Sequence, residues 1–239
     1  MNDIAGIIRK YFNMLPFERR QHLCDVIVKP VDAIDAEVSS PDLATSFRDI
    51  AKAAAIDAAV AFVISLLGVG VLVLSSFLFT FGLSVLFLAI PFVLFFVILF
   101  GVIIGWLLGG AVTFIIAKLL GGIGKFKSQL ALFGTIEASF LLLQIPLTLL
   151  GIIPCVGNLV NLLIVVLSVY QLFVSFKAIM ALHKLSSGRA LVVVLAPIAL
   201  MLALIVLAFL VAFFAPVLIA GFFTFTKVAG PTPVPTPGA

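Results

Sequence analysis

Two ionisable side chains interrupt otherwise apolar sequence, Glu137 and Lys177. A carboxylate in a membrane-spanning run is costly, and by default it marks a functional site whose partner must be found. Glu137 stands about nine residues past Ser128, roughly 13 Å along a helix at 1.5 Å per residue. Lys177 precedes Lys184 by seven residues on the next apolar run, which enters from the same side, so the two share a depth. They are expected to meet, directly or through water. Such a pair either fixes the register of two helices or relays a proton or a solute.

A second cluster lies in "LHKLSSGRALVVVLAP", where His183, Lys184, Ser186, Ser187 and Arg189 crowd between apolar runs. Catalysis by His183 would need a carboxylate or base, and the chain has no acidic residue after Glu137. The stretch therefore reads as a cytoplasmic elbow, with Ser187 and Gly188 between two helices and Lys184 and Arg189 at lipid headgroups. His22 and Cys24 are two candidate metal ligands where a zinc site takes at least three from the protein. No phosphate loop, dinucleotide fingerprint, HExxH, GxSxG or cysteine cluster occurs. The expectation is no catalytic residue, no metal, no cofactor and no enzyme. The sparse basic residues, spaced like headgroup anchors, speak against nucleic acid.

The elements that hold these residues follow from composition. Hydrophobic residues make up 64% of the chain and charged ones 10%, against about 45–50% and about a quarter in soluble domains. Fifteen of the 24 charges lie between Asp3 and Lys52, and from Ala53 to Ala117 the single charge is Asp57. Lipid must therefore be part of the solvent. A span needs about 20 apolar residues, and runs without polar alternation become helices, which satisfy their own backbone. Five spans are expected, about 53–79, 92–117, 129–151, 159–182 and 190–215. "FGLSVLFLAIP" makes an apolar turn, Pro154 and Gly157 make an outside turn, and Pro216 ends the fifth span, with Phe222, Phe223 and Phe225 near the outer interface. Lys and Arg flank the cytoplasmic ends, which puts the N-terminus inside and the C-terminus outside. Cys24 and Cys155 then face opposite sides and cannot pair. An early cleavable signal is not expected, because Glu18, Arg19, Arg20 and Asp25 interrupt. The fold class is an all-α integral membrane protein, a five-helix bundle with short amphipathic cytoplasmic helices in front. Residues 1–52 form that front, 53–227 the membrane domain and 228–239 an extended Pro/Thr-rich tail.

Within the front, Ile4, Ile7, Ile8, Tyr11, Phe12 and Leu15 recur at helical spacing and form one apolar stripe. That helix lies on the membrane surface or packs on the protein or a partner. A weaker stripe follows through Phe17, Leu23 and Ile27. Pro30 suits a helix start, and in "SSPDL" Ser40 is expected to cap the next helix. Gly101, Gly105 and Gly109 form a face on which a helix packs closely, within the chain or in a homodimer.

From Leu119 to Pro197 the sequence resembles the Yip domain family, the Ypt/Rab-GTPase-interacting multi-pass membrane proteins. Three stretches carry the resemblance: "LLGGIGKFKSQLALFG" with Gly121, Gly122, Gly124, Phe126 and Gly134, "IPLTLLGIIP", and "ALHKLSSGRALVVVLAP" with Ser187, Ala190 and Pro197. "KPVDAI" before the first span also fits. The resemblance implies five helices, a cytoplasmic N-terminus, a trafficking-like role, related membrane proteins as partners and, for eukaryotic members, a small GTPase. The short front is similar to the compact prokaryotic, archaeal kind, which implies a plasma membrane location. A non-enzymatic scaffold that organises partners or membrane shape is the first functional expectation. A small transporter or channel using Glu137 is the second.

Overall fold

The computed structural model describes residues 2–76, 83–153 and 155–228. Pro154 and the tail from residue 229 lie outside the described residues. The chain forms α1 (Asn2–Met14), α2 (Arg20–Val28), α3 (Pro30–Ser39), α4 (Leu43–Ser76), α5 (Leu83–Leu119), α6 (Phe126–Leu150), α7 (Gly157–His183) and α8 (Ser187–Val228). Five of these helices hold segments long and apolar enough to cross a bilayer: Leu43–Val69, Ala89–Leu119, Phe126–Leu150, Gly157–His183 and Ser187–Ala215.

The short helices start and stop for local reasons. Pro30 opens α3 at a position whose N–H would be unpaired in any case. Asp42, rather than the expected Ser40, starts α4: its carboxylate accepts from the N–H groups of Ala44 (3.1 Å) and Thr45 (3.3 Å). Bonds from the Thr45 hydroxyl and these N–H groups hold Asp42 below the usual carboxylate range. Ser40 instead closes α3, its hydroxyl donating to the Ala36 carbonyl at 3.3 Å. A carboxylate is the better partner for the positive end of a 34-residue helix.

Two expected helix ends are corrected. α5 starts at Leu83 and runs through Pro91, inside the expected turn. α8 runs through Pro197 and Pro216 to Val228, so Pro216 does not end it. Proline removes one ladder bond, yet where no water competes for the backbone, continued helix satisfies the remaining groups best.

Two compact units divide the chain between Ala196 and Pro197, the second beginning with the remainder of α8. In the first unit α6 is the axis. It contacts α4, α5 and α7, and α2 and α3 lie against it. Its most apolar window is 67% buried, against 6% for that of α5. The front and the bundle share one core, in which Phe12, Leu23, Ile34, Leu132, Phe140 and Val174 meet. Burying such a side chain away from water contributes about 1.5–3 kcal/mol each. Deeper in the bundle that driving force is absent, and close packing and interhelical hydrogen bonds must replace it.

Candidate functional site

The front is fastened to the bundle by a buried carboxylate. Glu37, near the end of α3, is 3% exposed. Its Oε2 takes a hydrogen bond from Arg19 and lies 2.8 Å from His22 Nε2. The hydroxyl of Ser46 on α4 donates to Oε1 at 3.5 Å and lies 3.1 Å from the Thr135 hydroxyl on α6. Burial alone would raise the Glu37 carboxyl, but the His22 hydrogen bond and the Arg19 charge outweigh it and hold it below its ordinary value. A cleft of about 280 Å³ opens beside this hub, lined by Arg19, His22, Ala36, Ser40, Asp42 and Thr45 together with Glu37. Two tyrosines pin the same layer, Tyr11 donating to the Leu142 carbonyl and Tyr170 to the Ile27 carbonyl, each at 2.8 Å.

A second hub closes the opposite corner. Gln129 on α6 donates through Nε2 to the Gly110 carbonyl (3.0 Å) and the Thr113 hydroxyl (2.6 Å) of α5. Its carbonyl oxygen therefore faces His183 Nε2, 2.7 Å away on α7. The imidazole donates from Nε2, and Nδ1 finds no hydrogen-bond partner among the described residues. His183 is fully buried, and the glycine turn folds onto it. A Cβ on Gly122 would lie 2.5 Å from Nδ1 and 2.8 Å from the Ala117 carbonyl oxygen. One on Gly124 would lie 2.9 Å from both His183 Cε1 and Leu182 Cγ. Gly121, at φ 91, makes the left-handed turn itself. Gly134 admits the Trp106 ring, whose Nε1 donates to the Leu130 carbonyl at 3.1 Å. In the elbow, Lys184 is left-handed (φ 51). Arg189 donates to the Leu120 carbonyl at 3.2 Å, a protein anchor where lipid headgroups were expected. Ala190 is buried among Ala117, Ile179 and Leu185, beyond Ser187 at the helix start.

Glu137 takes its hydrogen bond from Gln171 Nε2 at 2.7 Å. Lys177 lies over the Phe173 ring, 5.6 Å from its centroid. No direct Glu137–Lys177 ion pair is formed among the described residues. The facing position on antiparallel α7 falls nearly two turns before Lys177, which equal distances from the two helix ends did not reveal. The stripe of α1 is divided. Phe12 is buried with Ile8 and Leu15 packed beside it, while Ile4, Ile7 and Met14 are 66%, 68% and 71% exposed. Gly101, Gly105 and Gly109 have no neighbour within 4 Å of an added Cβ, and Gly110 meets α6 through Leu130 instead.

Sequence reasoning missed the Arg19–His22–Glu37 hub and the Gln129–His183 pair. A glutamine one turn past a glycine-rich loop, with one histidine closing the following hairpin, was the signal available for the second.

An antiparallel array of long apolar helices around α6, with a charged front on one end, defines a multi-pass helical membrane protein. The Yip1 domain family matches residues 38–210, and the chain belongs to that family. No curated protein matches the chain, and no solved structure does.

Proposed function

We propose that this Yip1-domain protein is a non-enzymatic membrane scaffold, with a cytoplasmic front that touches the bilayer surface and its C-terminus on the opposite face. The observation that carries the reading is the divided stripe of α1. One apolar sector fastens the helix to the bundle, and the other, Ile4, Ile7 and Met14, is left for an apolar surface outside the chain. Arg9 and Lys10 are also exposed on this helix, as suits anionic headgroups. The polar groups of the front are spent on one another, Glu37 binding Arg19, His22 and Ser46. That supports a coupling element rather than a catalytic one. Family membership makes other membrane proteins, and separately a small GTPase, the partners to test.

The test is reconstitution of the full chain into vesicles containing anionic lipid, with vesicle shape and clustering followed by electron microscopy. The scaffold reading expects remodelling that Ile4→Glu with Ile7→Glu removes and Glu137→Gln leaves intact. Solute flux lost in Glu137→Gln, with no remodelling, would replace it by the transporter reading.

A further inference from the structure

We infer that the α5–α6 and α7–α8 connections together form a binding site for an anionic phospholipid whose headgroup carries more than one negative charge. Taken singly, each connection is a short turn with a few basic residues. The fold joins them. The Ile123 N–H donates to the His183 carbonyl at 3.3 Å, and Arg189 reaches from the first turn of α8 to the Leu120 carbonyl at 3.2 Å. Lys118 on α5 lies over the Phe114 ring, its Nζ 5.5 Å from the ring centre. Phe114 in turn lies 5.1 Å from the ring of Phe126, the residue between Lys125 and Lys127. On its other side it lies 6.1 Å from the imidazole of His183, which Lys184 follows. Five cations, Lys118, Lys125, Lys127, Lys184 and Arg189, are thereby gathered at one end of the bundle, and all are exposed.

The chain offers these cations no counter-charge. Between Lys118 and Arg189 the single acidic residue is Glu137, which is bonded to Gln171. None of the five forms an ion pair among the described residues, whereas Arg19 and Arg48 of the front side are paired with Glu37 and Glu18. Like charges brought together repel, and an anion from outside relieves the repulsion. Arg189 spends its Nη1 on Leu120, which leaves donors of the planar fork for a phosphate. The exposed Ser186 and Ser187 beside it supply hydroxyl donors.

The site is amphipathic, and this selects a lipid over a free phosphate. Leu119, Ile123 and Phe126 are exposed among the cations, and Ile115 and Leu191 are exposed just inside them along α5 and α8. A soluble anion would leave these side chains uncovered. A phospholipid sets its headgroup against the cations and its acyl chain along the apolar residues. Basic clusters of about this size at the ends of membrane helices hold polyanionic headgroups in this way. The site shares no residue with the apolar sector of α1 on which the scaffold reading rests, so either can fail without the other.

The test uses the full chain in a neutral detergent, with the phospholipids it retains counted by native mass spectrometry. Phosphatidylinositol bisphosphate is the probe and phosphatidylcholine the neutral reference. The probe is expected to bind about twentyfold more tightly than the reference. Lys125→Gln with Lys127→Gln should weaken the probe about twentyfold, and Lys184→Gln on the other connection about fivefold. Neither variant removes an ion pair, so the unfolding midpoint followed by Trp106 fluorescence should stay where it is. Soluble inositol trisphosphate at the same concentration should not displace the probe, and Ile4→Glu with Ile7→Glu should leave its binding unchanged. Equal binding of the two lipids, or probe binding indifferent to the lysine variants of either connection, overturns the inference. Displacement by inositol trisphosphate overturns the lipid as occupant, and loss of binding in Ile4→Glu with Ile7→Glu moves the lipid to the front and overturns the site.

Discussion

Two sets of glycines in one membrane domain have opposite surroundings. Gly122 and Gly124 are pressed against His183 at distances that leave no room for a methyl group, and Gly134 lies tightly against Trp106. Gly101, Gly105 and Gly109 face open space on α5. Regular four-residue spacing marks the unused set, and the irregular spacing of a turn marks the set that builds the bundle. A small-residue ladder identifies a face on which close packing is feasible; the packing itself depends on what the opposing helix presents. Here Leu130 reaches Gly110, one residue off the ladder.

The largest effect that would break this contrast is expected at Gly122. The Cβ of Gly122→Ala would meet the Ala117 carbonyl, which belongs to the backbone of α5 and cannot swing aside. A loss of about 3 kcal/mol is expected, at the upper end for overpacking. Thermal unfolding in detergent, followed by the fluorescence of Trp106, the sole tryptophan, measures it. Unchanged stability would mean that the turn sits elsewhere. Gly134→Ala, with contacts of 3.3 Å to an aromatic ring, should lose about 1 kcal/mol.

Next comes the polar partner of the turn. Gln129→Leu removes the acceptor for His183 and the donor to Gly110 and Thr113. Leaving such buried groups unpaired costs about 1–3 kcal/mol. A histidine held only by packing would show no loss, and the same unfolding experiment separates the two cases.

The front offers a contrast in solvent. Glu37 has its folded value depressed below 4.5, so the folded state binds fewer protons than the unfolded one near that pH. Its stabilisation is complete above pH about 4.5 and is lost as pH falls through the folded value. Hydrogen exchange should therefore show α2 and α3 losing protection in mild acid before α5 and α6 do. Glu37→Gln should flatten that pH dependence. Equal acid sensitivity in both regions would dissolve the distinction between an ionic front and a neutral bundle.

How much of this was legible depended on which physics carried the information. Composition alone gave the helical membrane class, because 64% apolar residues with fifteen of the 24 charges in the first 52 positions leave few other folds. The start of α3 at Pro30 was readable from local rules. Glu137 was visible as an anomaly, but its partner Gln171 was not, since the register between two helices is set by packing along their length. The Glu37 hub was hidden for a related reason. Arg19, His22, Glu37, Ser46 and Thr135 lie on separate elements, and nothing local distinguishes them from solvated charges and hydroxyls. The helix-continuing behaviour of Pro91 and Pro216 was missed by applying aqueous breaker rules where backbone has no water to turn to.

The smallest expected effect gives the most direct reading of the open ladder. An alanine at Gly105 has no atom within 4 Å to meet, and glycine inside a helix is less favourable than alanine by about 0.5–1 kcal/mol. Gly105→Ala should therefore leave the isolated chain equally stable or slightly more so. If a second copy packs on this face, the added methyl groups would hold the two helices apart and weaken association. The two consequences have opposite signs and separate readouts: unfolding of the monomer at high detergent-to-protein ratio, and fluorescence transfer between labelled copies in bilayers. A more stable monomer with unchanged transfer assigns the ladder to lipid. A more stable monomer with reduced transfer assigns it to a homodimer. A destabilised monomer would show that Gly105 is packed within the chain after all, which would remove the contrast with Gly122 altogether.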